Sequence, residues 1–291
     1  MVSGILLVDK PQGPSSHGVV SAARKALGTR KVGHAGTLDP MATGLLILGV
    51  GTATRLLTYI VGADKTYTAT IRLGSATVTD DAEGDVTSVC DPAVLAEVTA
   101  QDVARVIDTL TGDIEQRPSA VSAIKVDGQR AYARVRAGDD VVLAARTVTV
   151  SRFEVHEIRR TDASIDIDIS VDCSSGTYIR ALARDLGDAL HVGGHLTALR
   201  RTHVGPWSVV DACDIATIAS DRLISSARIA AELFPTWSMS DNDAVDIGHG
   251  KRVRVDLVDA PLAAAIEGQR LRAIVSVSDG VARVVTGFPN D

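Results

Sequence analysis

Aromatic side chains are scarce, at 3% of 291 residues: four Tyr, three Phe and two Trp. Each ring therefore weighs more than usual in reading a pocket. The three cysteines, Cys90, Cys173 and Cys213, stand far apart and form no Cys-x-x-Cys pair. A reduced, cytoplasmic chain is the simplest reading of that pattern. No apolar run approaches a membrane span, so no membrane partner is expected. Ile5 to Val8 is too short for the core of a signal peptide and runs straight into Asp9. There is no His-Glu-x-x-His and no P-loop, and neither a metal nor a cofactor is expected. Gly49-Val50-Gly51 hints at a dinucleotide fingerprint, but Thr54 stands where the third glycine belongs.

Positive charge is short as well. Thirty Lys and Arg against 36 Asp and Glu leave a formal charge of -6. Over the whole chain that counts against a nucleic-acid partner. The local distribution differs. Between Arg117 and Arg136, five basic residues face Asp127 alone, while the acids from Asp80 to Glu115 face only Arg105. One basic face is compatible with this pattern; two solvated charge runs are the plainer alternative.

What is present centres on Gly33-His34-Ala35-Gly36-Thr37-Leu38-Asp39-Pro40-Met41-Ala42-Thr43-Gly44. Glycines, a proline and threonines around one carboxylate describe a shaped loop rather than a helix or strand interior. Asp39 is the only acid between Lys10 and Ala63. Among basic and small neutral groups, its carboxylate should stay ionised and available to react. The plainer reading is an Asp-Pro turn feeding a buried strand.

Four further stretches decide between the two. They are Gly4-Ile5-Leu6-Leu7-Val8-Asp9-Lys10-Pro11-Gln12-Gly13, Asp64-Lys65-Thr66-Tyr67, Gly176-Thr177-Tyr178-Ile179-Arg180 and Leu199-Arg200-Arg201-Thr202. With the Asp39 stretch, in this order and spacing, they resemble the pseudouridine synthases of the TruB family. That family includes the bacterial enzymes that modify the T-loop uridine of tRNA, conventionally numbered 55. The resemblance spans residues 4 to about 208 and implies roles for single residues. Asp39 would be the essential aspartate and Arg180 its charged partner. Tyr67 would stack on the base and take the proton from its carbon-5. Tyr178 would be a second pocket tyrosine and Leu199 an apolar wall. His34 would fill the gap left in the RNA stack, or else be a loop histidine bonding backbone. Lys10, Arg24, Lys31, Arg134, Arg136, Arg200 and Arg201 are candidate phosphate contacts.

The fold expected is α+β: a mixed, largely antiparallel sheet with flanking helices in a catalytic domain of pseudouridine synthase type. A thumb-like insertion at about 119–138 and a small C-terminal β domain complete it. The catalytic domain would cover 1–234, with the boundary at Phe234-Pro235, and 235–291 would be a PUA-like domain or a degenerate replacement. Strands are read at Ile5–Asp9, Leu45–Val50, Lys65–Gly74, Thr147–Ile158 and Ser164–Asp172. Three more are read in the tail, at Lys251–Leu257, Leu271–Val277 and Val281–Thr286. Helices are read from Ser15 or Ser16 to Leu27, Thr52 or Thr54 to Val61, Asp102–Leu110, Arg130–Arg136, Tyr178–Leu190 and Ile224–Leu233. If Tyr178 to Arg180 is extended, those two side chains share a face.

The resemblance thus implies an enzyme that isomerises uridine to pseudouridine, binding the tRNA T-arm as a monomer without a guide RNA. A tRNA-folding chaperone, in place of catalysis or alongside it, is the alternative. The Asp39, Tyr67, Tyr178 and Arg180 set favours the enzyme.

Overall fold

The computed structural model describes residues 2–119 and 143–288, with the backbone of 125–126 and 129–130. It divides into two compact units. One comprises Met1–Pro40, Gly44–Val61 and Pro206–Asp291; the other comprises Met41–Thr43 and Gly62–Gly205. Among the described residues no helix is long and apolar enough to cross a membrane.

The first unit starts from an unbroken apolar strand, Gly4–Lys10. Ile5, Leu6 and Val8 have no exposed surface, as expected of a strand covered on both faces. It pairs antiparallel with Thr43–Val50, from Gly4 opposite Val50 to Lys10 opposite Gly44, and parallel with Cys213–Asp214. The Ser16–Ala26 helix begins where the Ser15 hydroxyl accepts from the Gly18 N–H, and it buries Val19, Val20 and Ala23. The helix expected after Thr52 is half 3-10: Gly51–Leu56 in the tighter form, then Leu57–Ile60.

Gly33-His34-Ala35 departs from the expected loop. It lies in the Val32–Ala35 strand, antiparallel to Thr43–Val50. Gly33 suits that strand because a Cβ there would meet Leu57 at 3.1 Å. Past Pro235 the chain forms a five-stranded sheet, with Thr236–Ser238 parallel to Ala260–Glu267 and the other pairings antiparallel. Its core gathers Ala263, Ala265, Val275 and Val277 against Ala244 and Ile247 of the Asp241–Gly248 helix. Two of these strands and the helix carry no reading above, and the strand expected at Lys251–Leu257 shrinks to Val253–Arg254.

The second unit is an antiparallel sheet in the order Gly194–Val204, Lys65–Leu73, Ile165–Cys173, Arg146–Arg160, Gly112–Gln116. Lys65–Leu73 keeps its alternation: Tyr67, Ala69, Ile71 and Leu73 are buried, and each large aliphatic contributes about 1.5–3 kcal/mol. The Gly194–Val204 strand carries no expectation above, and the reason is physical. Two irregularities, at Leu196/Ala198 and Arg201/His203, break the period-2 pattern that marks a strand. A short helix at Pro92–Glu97 is also new, opened by Asp91 as cap with Pro92 in its first turn. Tyr178 is extended, but Arg180 lies inside the Ile179–Ala189 helix, so the two do not share an extended face. The helix expected over Arg130–Arg136 falls outside the described residues, save that Arg130 ends a two-residue strand.

The Ile179–Ala189 helix meets the entry to Gly194–Val204 at glycine against glycine. A Cβ on Gly187 would lie 2.2 Å from both Gly193 C and Gly194 N. Gly187→Ala is expected to destabilise the chain by about 3 kcal/mol, the upper range of overpacking, read as a lowered urea midpoint.

Arginine–aspartate pairs lie side by side on one face of the sheet. Arg72 donates two hydrogen bonds of 2.7 Å to Asp166, Arg152 Nε donates one of 2.7 Å to Asp172, and Arg159 bonds Asp168. These hydrogen bonds hold all three carboxyls below their usual range. Acids depressed in the folded state add stability above their unfolded pKa, and lose it as pH falls through the folded value. Stability should therefore fall on acidification below about pH 4. A triple Asp166→Asn, Asp168→Asn, Asp172→Asn variant should show a shallower acid limb in pH-dependent denaturation.

Candidate active site

The Asp39 loop is held on both sides of the carboxylate. Before it, Leu38 is buried and both its backbone groups bond one side chain. The Ser16 hydroxyl donates to Leu38 O at 2.9 Å and accepts from Leu38 N at 2.8 Å. After it, Pro40 O accepts from Gly13 N at 2.9 Å and from Lys10 Nζ at 3.2 Å. Lys10 is wholly buried and also donates to Pro11 O at 2.9 Å. That corrects the expectation of a phosphate contact: this ammonium faces backbone carbonyls and shapes the loop. Arg24 is exposed and donates one bond to Val32 O at 3.0 Å, at the entry to the strand before the loop, which leaves its other donors open to a phosphate. His34 is half-buried, its ring edge-on to His17 at 5.6 Å between centres. Asp39 itself is half-buried.

In the second unit, Tyr67 is buried to 8% exposure, directly opposite Val171 on one neighbouring strand and Arg201 on the other. Arg201 is 1% exposed, which rules it out as a surface phosphate contact. Lys65 lies on the same strand face as Tyr67 and donates to Ala63 O at 2.6 Å. Burial, reinforced by the Arg201 charge, holds the Lys65 ammonium down to about 8. Burial pushes the Cys173 thiol up to about 11, which leaves it a protonated, unreactive group. Leu199 is buried, and its carbonyl accepts from the Thr43 hydroxyl at 3.4 Å. Arg200 is half-buried and Lys31 exposed; Arg134 and Arg136 lie outside the described residues.

Tyr178 caps the Ile179–Ala189 helix in an extended conformation, at φ -105 and ψ 106. The Gln116 carboxamide grips it twice, donating to Tyr178 O at 3.0 Å and accepting from Tyr178 N at 2.8 Å. The Arg146 guanidinium stands over the ring, 5.0 Å from its centre, a cation–π distance. Arg180, 5% exposed, donates to Thr79 O at 2.7 Å and to Asp81 Oδ2 at 3.1 Å. Asp81 is itself buried, its other oxygen accepting from the Thr79 hydroxyl at 2.5 Å and from Glu83 N at 3.0 Å. A buried ion pair costs desolvation on both sides, so this one fixes direction more than it adds stability.

Four residues that the sequence did not single out therefore shape the candidate positions: Ser16, Asp81, Gln116 and Arg146. Asp81 was hidden in an acidic run that reads as solvated surface. Ser16 and Gln116 act through backbone bonds that no side-chain pattern encodes.

Residues 24–179 match the model of the TruB family pseudouridylate synthase N-terminal domain. Residues 180–232 match that of the tRNA pseudouridylate synthase B C-terminal domain. The chain belongs to the TruB family. Curated family members align along nearly its whole length. The tRNA pseudouridine synthase B of Arthrobacter sp. (strain FB24) is 52% identical, over 99% of this chain and 97% of that protein. The protein of the same name from Leifsonia xyli subsp. xyli (strain CTCB07) is 53% identical, over 99% and 97%. Among solved structures, the Cbf5 chain of a Cbf5-Nop10-Gar1 complex superposes with a TM-score of 0.72 at 25% identity, covering 98% of this chain and 84% of that one. An H/ACA RNP bound to a substrate RNA containing 2'-deoxyuridine superposes at 0.71 with 24% identity, a likeness of fold.

Ser16→Ala removes the one group that bonds both polar atoms of buried Leu38. It is expected to cost about 1–3 kcal/mol in chemical denaturation.

Proposed function

We propose that this chain isomerises uridine to pseudouridine in the T-loop of tRNA, at the position conventionally numbered 55. The observation that carries the reading is the Asp39 loop. It has the family's sequence and is anchored at Leu38 and Pro40, leaving the carboxylate between two fixed points. The similarity of the whole chain to proteins named tRNA pseudouridine synthase B supports tRNA as the substrate.

The reaction breaks the bond from N1 of the base to C1′ of the ribose and joins C1′ to carbon-5 of the same base. Carbon-5 then loses a proton and N1 gains one, so no electrons enter or leave. Asp39 is the reacting carboxylate, held where the loop anchors place it. Tyr67 stacks on the base and takes the carbon-5 proton. Tyr178, with Arg146 over its ring, forms a second aromatic wall, and Leu199 adds an apolar one. Arg180, its guanidinium fixed by Thr79 O and Asp81, completes the proposed catalytic set. His34 occupies the place that the flipped nucleotide leaves in the stack. Flipping costs a few kcal/mol, offset by stacking and phosphate contacts. Arg24, Lys31, Arg200, Arg134 and Arg136 remain the phosphate candidates. In this reading 1–234 carries catalysis, and 235–291 is a small β domain that adds RNA affinity. The protein works in the cytoplasm as a monomer without a guide RNA.

The test is tritium release from carbon-5-labelled uridine in an unmodified tRNA transcript, followed by mapping of the modified position. Wild type is expected to modify the T-loop uridine once per transcript. Asp39→Asn should lower turnover by more than about 100-fold while tRNA binding survives. Modification at another position would overturn the assignment of the T-loop. Turnover by Asp39→Asn close to wild type would remove Asp39 from its role.

A further inference from the structure

Beside the Arg180–Asp81 pair lies a second one that the reaction does not call on. Asp80 and Asp81 are neighbours in sequence, while Arg180 and Arg184 stand one helical turn apart on Ile179–Ala189. Asp80, 9% exposed, is in the left-handed region at φ 58. Arg184 Nη1 reaches Asp80 Oδ2 at 3.3 Å, and its Nε and Nη2 donate to Asp185 Oδ1 at 2.9 and 2.7 Å. Nη2 also donates to the carbonyl of Arg117 at 2.7 Å. Arg117 follows Gln116, whose carboxamide grips both backbone groups of Tyr178. The wholly buried Ser119 hydroxyl lies beside the Asp80 carboxylate, off hydrogen-bonding geometry. The far end of the Gly112–Gln116 strand and the residue after it are thus fastened to the helix at two points, by Gln116 to its cap and by Arg117 to its second turn.

We propose that Arg184, oriented by Asp185 and Asp80, is a positioning residue for the isomerisation: through the Arg117 carbonyl it sets Gln116, and through Gln116 the angle of the Tyr178 ring. The inference rests on the reading of Tyr178 as a pocket residue. Arg184 touches neither base nor sugar in this account. Its effect is on where Tyr178 points, and misplacement of a pocket group by a fraction of an ångström is enough to slow a reaction. A merely structural arginine would lower stability and leave the chemical step alone.

A double-mutant cycle on the full chain separates the two. Single-turnover rate and KM are measured on an unmodified tRNA transcript for Arg184→Met, Gln116→Ala and the pair. Arg184→Met is expected to slow the chemical step about 10-fold. KM should stay within about twofold, as for an interaction felt only in the transition state. The double variant should be no slower than Gln116→Ala, because both act through one contact. Independent, multiplicative losses, or an unchanged rate in Arg184→Met, overturn the inference. Should Arg184→Met not fold, Asp80→Asn takes its place in the same cycle. Combined with Asp185→Asn, it keeps the volume and removes both carboxylates that hold the guanidinium, so a slowed step is again expected and an unchanged rate overturns. A wild-type chain that releases no tritium overturns the proposed function and this inference together. An active wild type with unaffected variants overturns this inference alone.

Discussion

The ammonium of Lys10 is the fixed point from which the candidate site is built. A lysine with no exposed surface is costly unless every proton finds an acceptor, and carbonyls of Pro11 and Pro40 serve here. Because prolines offer no N–H, their carbonyls sit in stretches with few competing ladder bonds, open to a side-chain donor. The end of an apolar strand is thereby tied to the residue after Asp39. Ser16 ties the residue before Asp39 to the first turn of the following helix. A carboxylate on a loop is ordinarily free to wander; here the residues on both sides of it are tied down.

The second unit uses the same strategy with different groups. Tyr178 is gripped through its backbone by an amide, and Arg180 is aimed by a buried acid. Tyr67 is set by the pleat of its strand between two flanking strands. In each case the group read as functional is held by a residue one step removed from it. Such supporting contacts are what keep a reactive constellation within tolerance.

How much of this is legible in the sequence follows from which interactions carry a period or a motif. The Lys65–Leu73 strand, with Tyr67 on its buried face, could be read because one face is apolar throughout. Asp39 could be read because its loop is a string of uncommon residues in fixed order. The Gly194–Val204 strand could not, since its bulges shift Arg201 and Leu199 off a clean alternation. Lys10 and Arg201 were expected at phosphates because charge ordinarily signals surface. Both are buried, and Lys10 serves there as an internal donor to backbone carbonyls. Asp81 was masked by the acids around it. Nothing local distinguishes the one that turns inward, because the partner that draws it in lies about a hundred residues later in the chain.

The arginine–aspartate rows on Lys65–Leu73, Ile165–Cys173 and Arg146–Arg160 bear on the apparent conflict between an acidic chain and a polyanionic substrate. A carboxylate bonded to a guanidinium presents to the solvent a dipole rather than a charge, and its field dies away faster than that of a lone ion. With screening over about 8–10 Å in physiological salt, an approaching phosphate backbone senses only the charges near its own path. Asp166, Asp168 and Asp172 are therefore largely silent at a distance, as are the arginines they bind, so these pairs leave the formal total of -6 unchanged, to be carried by other residues. Counting residues measures how such a protein migrates in an electric field; what a nucleic acid meets is set by where the uncancelled charges lie along its path.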